Sequence, residues 1–310
     1  MDIKELNYII AIAEEGSISR AAERLYMAQS SLSQFLSKYE KELHTKLFMR
    51  TANGVRATYS GDLFVQRAKQ MLVNYHRTQN ELWDIEELKT GRIELGISSF
   101  RGSYLLPHVL CRFSAIYPGI EVVVHEHDSI VLEEKIAAGT LDLALIANPT
   151  TKTSGDYDLV MQDEIYIVCT KKHPVMQYVK VGNGGPNRPW VAMKDAAKFK
   201  FLLSNRNTIL GSFAAEKYKK CGMPAIAVNR NMTAAFAAAM ARHGIGLAFT
   251  YRSCAMPTPN VEYLSIDKKQ AFLDLVLKYP VGDYRSKATK ELSNLIHIHM
   301  NETPSWQNNF

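Results

Sequence analysis

Residues 59–89 contain no proline and only Gly61 near their start. Phe64, Ala68, Met71, Tyr75, Thr78, Leu82 and Ile85 recur there in alternating steps of four and three. That is a heptad seam. About thirty helical residues extend on the order of 45 Å, so a stripe this narrow suits a partner helix better than a globular core. A helix buried in its own domain is the alternative. The segment 59–90 is therefore expected to be a dimerising linker helix, with separate folding units on either side. At 310 residues, a prior of roughly 100–200 residues per domain allows two or three such units.

Composition narrows the class further. Hydrophobic residues are 46% and charged residues 22% of the chain, which excludes a disordered or collagenous protein. No apolar run approaches the roughly 20 residues of a membrane span. Asp2, Lys4 and Glu5 stand where a secretory signal would be basic and then apolar. A cytoplasmic protein without a membrane partner is expected. Cys111, Cys169, Cys221 and Cys254 lie far apart with no CxxC pair, and read as reduced thiols.

The net charge of +6 matters through its placement. Residues 1–90 hold 12 basic and 12 acidic side chains, yet 17–77 hold 10 basic against 4 acidic. A basic block sits between acidic ends, as in nucleic-acid readers. Three short helices fill 2–43: one ending at Gly16, one capped by Ser17 or Ser19, and one over about 29–42. The third turns Leu32, Phe35 or Leu36, Tyr39 and Leu43 inward. Its outward face carries Ser30, Ser33, Gln34, Ser37, Lys38 and Lys41. This is a helix-turn-helix pattern. Leu47 to Thr58 then reads as two strands turning at Asn53-Gly54, with Arg50 and Arg56 flanking the turn as a basic wing.

From Gly91 strands alternate with helices: 92–97, 104–116, 120–126, 130–138 and 141–147 in the order βαβαβ, which implies a parallel sheet. A second run follows, with strands near 159–170, 199–203, 225–228, 245–249, 261–266 and 272–278. Helices near 209–221, 232–242 and 286–299 complete it.

The string Ala13-Glu14-Glu15-Gly16-Ser17-Ile18-Ser19-Arg20-Ala21-Ala22-Glu23-Arg24-Leu25 resembles the LysR-type transcriptional regulators. Gln29, Leu32, Ser33, Glu40, Leu43, Leu47-Phe48, Arg50, Gly54-Val55 and Thr58 continue the likeness. It extends more loosely through Leu105-Leu106-Pro107, Tyr117-Pro118, Leu141-Asp142-Leu143-Ala144, His173-Pro174 and Gly244-Ile245-Gly246. The resemblance implies an all-α winged helix-turn-helix domain (1–58), a long linker helix (59–90) and a two-lobed α/β effector domain (91–310) resembling periplasmic solute-binding proteins. Lobe I is expected over about 91–165 and 267–300, and lobe II over about 166–266. It also implies a homodimer or homotetramer that binds an interrupted inverted repeat in double-stranded DNA and is switched by a small molecule. RNA polymerase is a further expected partner. Three departures fall at the DNA end. Ala28-Gln29-Ser30 replaces the family's usual Ser-Gln-Pro, removing a cap and a first-turn proline, and Gln34 replaces a common arginine.

On the reading helix Gln29, Ser30, Ser31, Ser33, Gln34 and Lys38 are the candidate DNA contacts, since Gln suits adenine and Ser several base edges. Arg20, Arg50 and Arg56 suit phosphate or the minor groove. In the effector domain Ser98, Ser99, Ser129, Asn205 and Thr208 fall where strands end and helices begin, a place for a small polar ligand. Helix capping explains Ser99, Ser129 and Thr208 equally well. Arg101 and Arg206 hint that the ligand is an anion, against a plain surface location. His125 and His127 lack a third metal ligand, and no GxSxG, HExxH or Cys/His arrangement is present. No enzyme, metal or cofactor is expected. The competing class is an α/β solute-binding protein without a DNA role, which lacks an export signal here.

Overall fold

The computed structural model describes residues 2–52, 54–85, 90–147, 156–182, 188–256, 258–282 and 284–301. Side chains of Ile85, Ser99 and 228–230 lie outside the described set. The chain divides into two compact units, essentially residues through Ile85 and the α/β part beyond.

In the first unit α1 (Ile3–Glu15) opens on a capping box. Asp2 accepts from the Glu5 amide at 2.9 Å while Glu5 accepts from the Asp2 amide at 2.8 Å. It stops at Gly16, whose φ of +57° suits a residue without Cβ. Ser17 caps α2 (Ile18–Arg24), accepting from the Arg20 amide. Helix α3 (Gln29–Glu42) starts after Ala28 without any side-chain cap. No serine shifts its start. Ile9, Ile12, Ala21, Ala22, Leu32, Leu36 and Tyr39 form the core beneath. Burying a leucine such as Leu32 contributes roughly 2 kcal/mol, so a charge there would break the unit. Leu43, expected inward, follows the last turn of α3 and is exposed.

Strands β1 (Phe48–Thr51) and β2 (Gly54–Ala57) pair with Thr51 opposite Gly54. Gly54 is therefore already paired within the ribbon, and Asn53, the other half of the expected turn, lies outside the described residues. Gly54 opens the strand for a packing reason. A Cβ there would stand 2.2 Å from the Gly16 carbonyl oxygen, which accepts from the Val55 amide at 2.9 Å. Helix α4 (Tyr59–Ile85) packs its first turns on α1 through Phe64, Val65 and buried Ala68. In the later part of the expected seam Met71, Tyr75, Thr78 and Leu82 are exposed.

The second unit holds one sheet of ten strands. Strands β3 (Gly91–Ile97), β4 (Ile120–Glu126) and β5 (Leu143–Ala147) are parallel, connected through α5 (Ser99–Ile116) and α6 (Ser129–Ala137). The long β6 (Tyr157–Thr170) follows. Then come β7 (Trp190–Val191), α7 (Met193–Ala196), β8 (Phe201–Ser204), α8 (Ile209–Cys221), β9 (Ala227–Met232), α9 (Ala234–Arg242) and β10 (Leu247–Tyr251). Strands β11 (Val261–Ile266) and β12 (Phe272–Lys278) and helix α10 (Lys287–Asn301) end the chain. The β6 half Tyr157–Glu164 pairs with β12, whereas its half from Ile165 pairs with β10 and β11. One apolar cluster lies under β3, β5 and β12 with α10, and another under β8, β10 and β11 with α8 and α9. The sheet therefore forms two lobes joined by β6 and by the return from Ile266 to Phe272. Among the described residues no helix is long and apolar enough to cross a membrane.

Candidate functional site

The outward residues of α3 form one surface. Gln29, Ser30, Ser31 and Gln34 are exposed, Ser33 is half-buried, and among the described residues none of these side chains makes a hydrogen bond. Lys38 is exposed and 3.7 Å from Glu42, one turn on. Arg20, on α2, donates to the Glu15 carbonyl. Glu14, the acid ahead of the basic block, is engaged by Arg24 at 2.9 Å and Lys69 at 2.7 Å. Burial pushes its carboxyl up, and these two cations more than offset that, holding it below the usual carboxylate range. The local acid is thus neutralised inside the unit and the reading face keeps its cations.

The wing differs from its sequence reading in one respect. Arg50 stands opposite Val55 and Arg56 opposite Met49, so the two guanidinium groups leave from opposite faces of the ribbon. Both are exposed. The ribbon is fastened by Glu40, which is 6% exposed on α3. Its Oε1 accepts from the amides of Leu47 and Phe48 at 2.8 and 3.0 Å, and its Oε2 accepts from Lys46 at 2.6 Å. Glu40 had no role in the periodicity, because an acid on an inward face carries no apolar signal.

In the second unit, strand directions follow from the pairing. Strand β12 runs against β5, β6 against β12, β10 against β6, and β8 with β10. The carboxyl ends of β3, β4 and β5 in one lobe therefore point toward those of β8 and β10 in the other. Ser98 follows β3 at the start of α5, half-buried, with no side-chain bond to the helix. Ser99 begins α5, and Ser129, half-buried, begins α6. Across the cleft the structure brings Asn205 and Thr208 together. Thr208 caps α8, accepting from Gly211 N–H at 3.1 Å and donating to the Asn205 carbonyl at 2.7 Å. Asn205 itself accepts from the Asn207 amide and donates to Asn231, both at 3.0 Å. A Cβ on Gly211 would meet the Asn205 carbonyl oxygen at 1.8 Å, so only glycine lets that turn close on α8. Arg206 is exposed beside it.

Arg101 is not on the surface. It is 1% exposed, its Nε donates to Asp163 at 3.3 Å, and its guanidinium stacks 3.6 Å from the centre of the Tyr251 ring. The first turn of α5 faces the junction of the lobes, which residue type alone does not reveal. His125 lies against Glu94, and among the described residues no group of three or more His, Cys, Asp or Glu could hold a metal ion.

A winged helix-turn-helix joined to a two-lobed α/β ligand-binding unit defines a class of one-component transcription factors. The first part matches the bacterial regulatory helix-turn-helix model of the lysR family over residues 3–62, and the second matches the LysR substrate binding domain over 86–301. The chain belongs to the LysR family of DNA-binding transcriptional regulators, which are not enzymes. A probable RuBisCO transcriptional regulator of Thalassiosira pseudonana is 28% identical over 214 residues, 68% of this chain and 67% of that one. A full-length OxyR variant from Pseudomonas aeruginosa superposes with a TM-score of 0.63 at 19% identity, covering 99% of each chain. Full-length CbnR in complex with its target DNA gives 0.64 at 16% identity, covering 98% of this chain and 100% of that one.

Proposed function

We propose that this regulator reads DNA with α3 and its wing, and that a small anionic effector bound between the lobes switches it. The observation that carries the DNA reading is the face of α3. Gln29, Ser30, Ser31, Ser33 and Gln34 are polar side chains without partners among the described residues. Side chains kept free in this way can exchange their bonds to water for bonds to base edges. Arg20, Lys38, Arg50 and Arg56 surround that face and supply phosphate contacts. CbnR, a structural neighbour, is seen with its target DNA.

Residues 1–58 serve as the DNA-binding domain, 59–90 as the linker and 91–310 as the effector domain. The exposed Met71, Tyr75 and Leu82 on α4 suit a second copy of the same helix, giving a cytoplasmic dimer, or a dimer of dimers, that bridges two half-sites of an interrupted inverted repeat. Ser98, Ser99, Ser129, Asn205 and Thr208 line the effector cleft. Three helices begin at strand ends there, and their N-terminal amides favour a carboxylate over an apolar compound. RNA polymerase is the natural downstream partner.

The deciding experiment sequences the genomic DNA recovered with the purified protein. Enrichment of a two-fold interrupted motif is expected, and random recovery at moderate salt would refute the reading. For the cleft, a calorimetric screen of organic acids and amino acids is expected to find one whose binding weakens in Ser129→Ala and Thr208→Ala. Binding indifferent to both changes would put the effector elsewhere.

A further inference from the structure

Helix α5 belongs to both lobes. Phe100 lies in the apolar cluster of lobe II, and its ring meets Tyr251 and Tyr104 at 5.8 and 5.7 Å. Leu105, Leu106, Val109 and Phe113 of the same helix lie in the cluster of lobe I. Pro107, just past Leu106, has no N–H for the i to i−4 ladder, so the helix lacks one ladder bond within the turn that follows Phe100 and Arg101. Arg101 sits on the lobe II side of that weak point. It reaches Asp163 on β6, one residue before the last β6 residue that pairs with β12. Asp163 in turn accepts from Ser253, beyond the end of β10, through N–H at 3.0 Å and Oγ–H at 2.6 Å. Arg101, Asp163 and Ser253 are each no more than 1% exposed. Arg101 also stacks on Tyr251, the last residue of β10.

We propose that Arg101 is a positioning residue, a buried latch that ties the first turn of α5 to lobe II through Asp163, Ser253 and Tyr251. Ser98, three residues away, then moves with lobe II although its strand belongs to lobe I. The inference rests on the effector-cleft reading for its purpose, but the latch itself needs no effector to be observed. With the latch closed the lobes hold one mutual angle, and an effector at the α5 N-terminus acts on both lobes at once. Removing one charge alone leaves the other buried and unpaired, so a fair test removes both.

The test places spin labels at Glu134→Cys on α6 and Glu216→Cys on α8, both exposed, in full-length protein carrying Cys111→Ser and Cys221→Ser. Labelled chains are diluted with unlabelled ones so that distances within one chain dominate. Wild type is expected to give one narrow separation. Arg101→Met/Asp163→Asn, which keeps an acceptor for the Ser253 amide, is expected to keep its circular dichroism while the separation broadens and shifts. Arg101→Leu/Asp163→Asn, which also removes both charges, serves if the first double variant does not fold, and is expected to broaden the distribution too. Arg101→Lys, which restores an ion pair, is expected to narrow it again. A folded double variant of either kind with the wild-type distribution would overturn the latch. A failed effector screen would instead count against the cleft.

Discussion

Glu40 in the DNA-binding unit and Asp142 in the α/β unit both accept backbone amides, yet their acidities move in opposite directions. Burial pushes the Glu40 carboxyl up. Lys46 and the amides of Phe48 and Leu47 more than offset it, and the group falls below the usual carboxylate range. Asp142 takes a single amide, from Glu94 at 2.7 Å. Burial, with the Glu94 charge nearby, pushes it up to about 6 against the help of that amide and Arg92. The number of donors, rather than burial alone, decides which acid is content to be charged. One unit uses an ion as a strut between helix and wing, while the other carries an ion held at a cost.

The largest effect expected is for Glu40→Ala. It orphans two buried amides at about 1–3 kcal/mol each, so the N-terminal unit should lose about 3 kcal/mol in denaturant unfolding at pH 7. A loss under about 1 kcal/mol would mean that the wing is held by something else. Because the folded carboxyl is more acidic than the unfolded one, its contribution is present above the unfolded value and disappears as pH falls through the folded one. Glu40→Gln should flatten that acid limb.

Asp142 should behave in the opposite sense. Raised from 3.8 to about 6, it costs nothing in acid, and its penalty grows from about pH 4 to about pH 6 and stays full above. The limit is about 3 kcal/mol, reduced by its partial exposure. Asp142→Asn, which keeps an acceptor for the Glu94 amide, is expected to gain about 1–2 kcal/mol at pH 7 and nothing at pH 4. A gain independent of pH would erase the contrast with Glu40.

Smaller effects separate the two kinds of DNA contact. Arg50→Ala and Arg56→Ala should each weaken every sequence alike, by about 1 kcal/mol, and lower the salt slope by about one. Their effects should add, since the side chains leave opposite faces of the wing. Ser33→Ala and Gln34→Ala should instead change the motif recovered by binding-site selection. An unchanged motif would remove both from base reading.

The smallest effect compares two helix starts. Helix α3 has no side-chain cap, whereas Thr208 caps α8. Ala28→Ser is expected to stabilise the first unit by about 0.5–1 kcal/mol, and Thr208→Ala to cost the second about 1 kcal/mol, both read by thermal unfolding. No gain at Ala28 would indicate that the open amides are already satisfied by solvent.

Features governed by neighbours in the chain were legible in the residues. Ser17 caps α2 and Ala28 leaves α3 uncapped, because a cap depends on one side chain and an amide two or three residues on. The three helices, the hairpin and the order of strands likewise follow from periodicity and turn chemistry. Gly54 read as a turn residue, but it pairs with Thr51 and packs against the Gly16 carbonyl, 38 positions earlier. Ala68 and Met71 share a stripe, yet α1 covers one and leaves the other exposed. Arg101 read as a hint of an anionic ligand or as a surface cation, but Asp163 lies 62 residues away and Ser253 a further 90. Only the folded sheet, whose long β6 passes from one lobe to the other, brings those three groups together. Periodicity reports which face of an element is apolar; which charge can be buried depends on a partner that the chain supplies from far away.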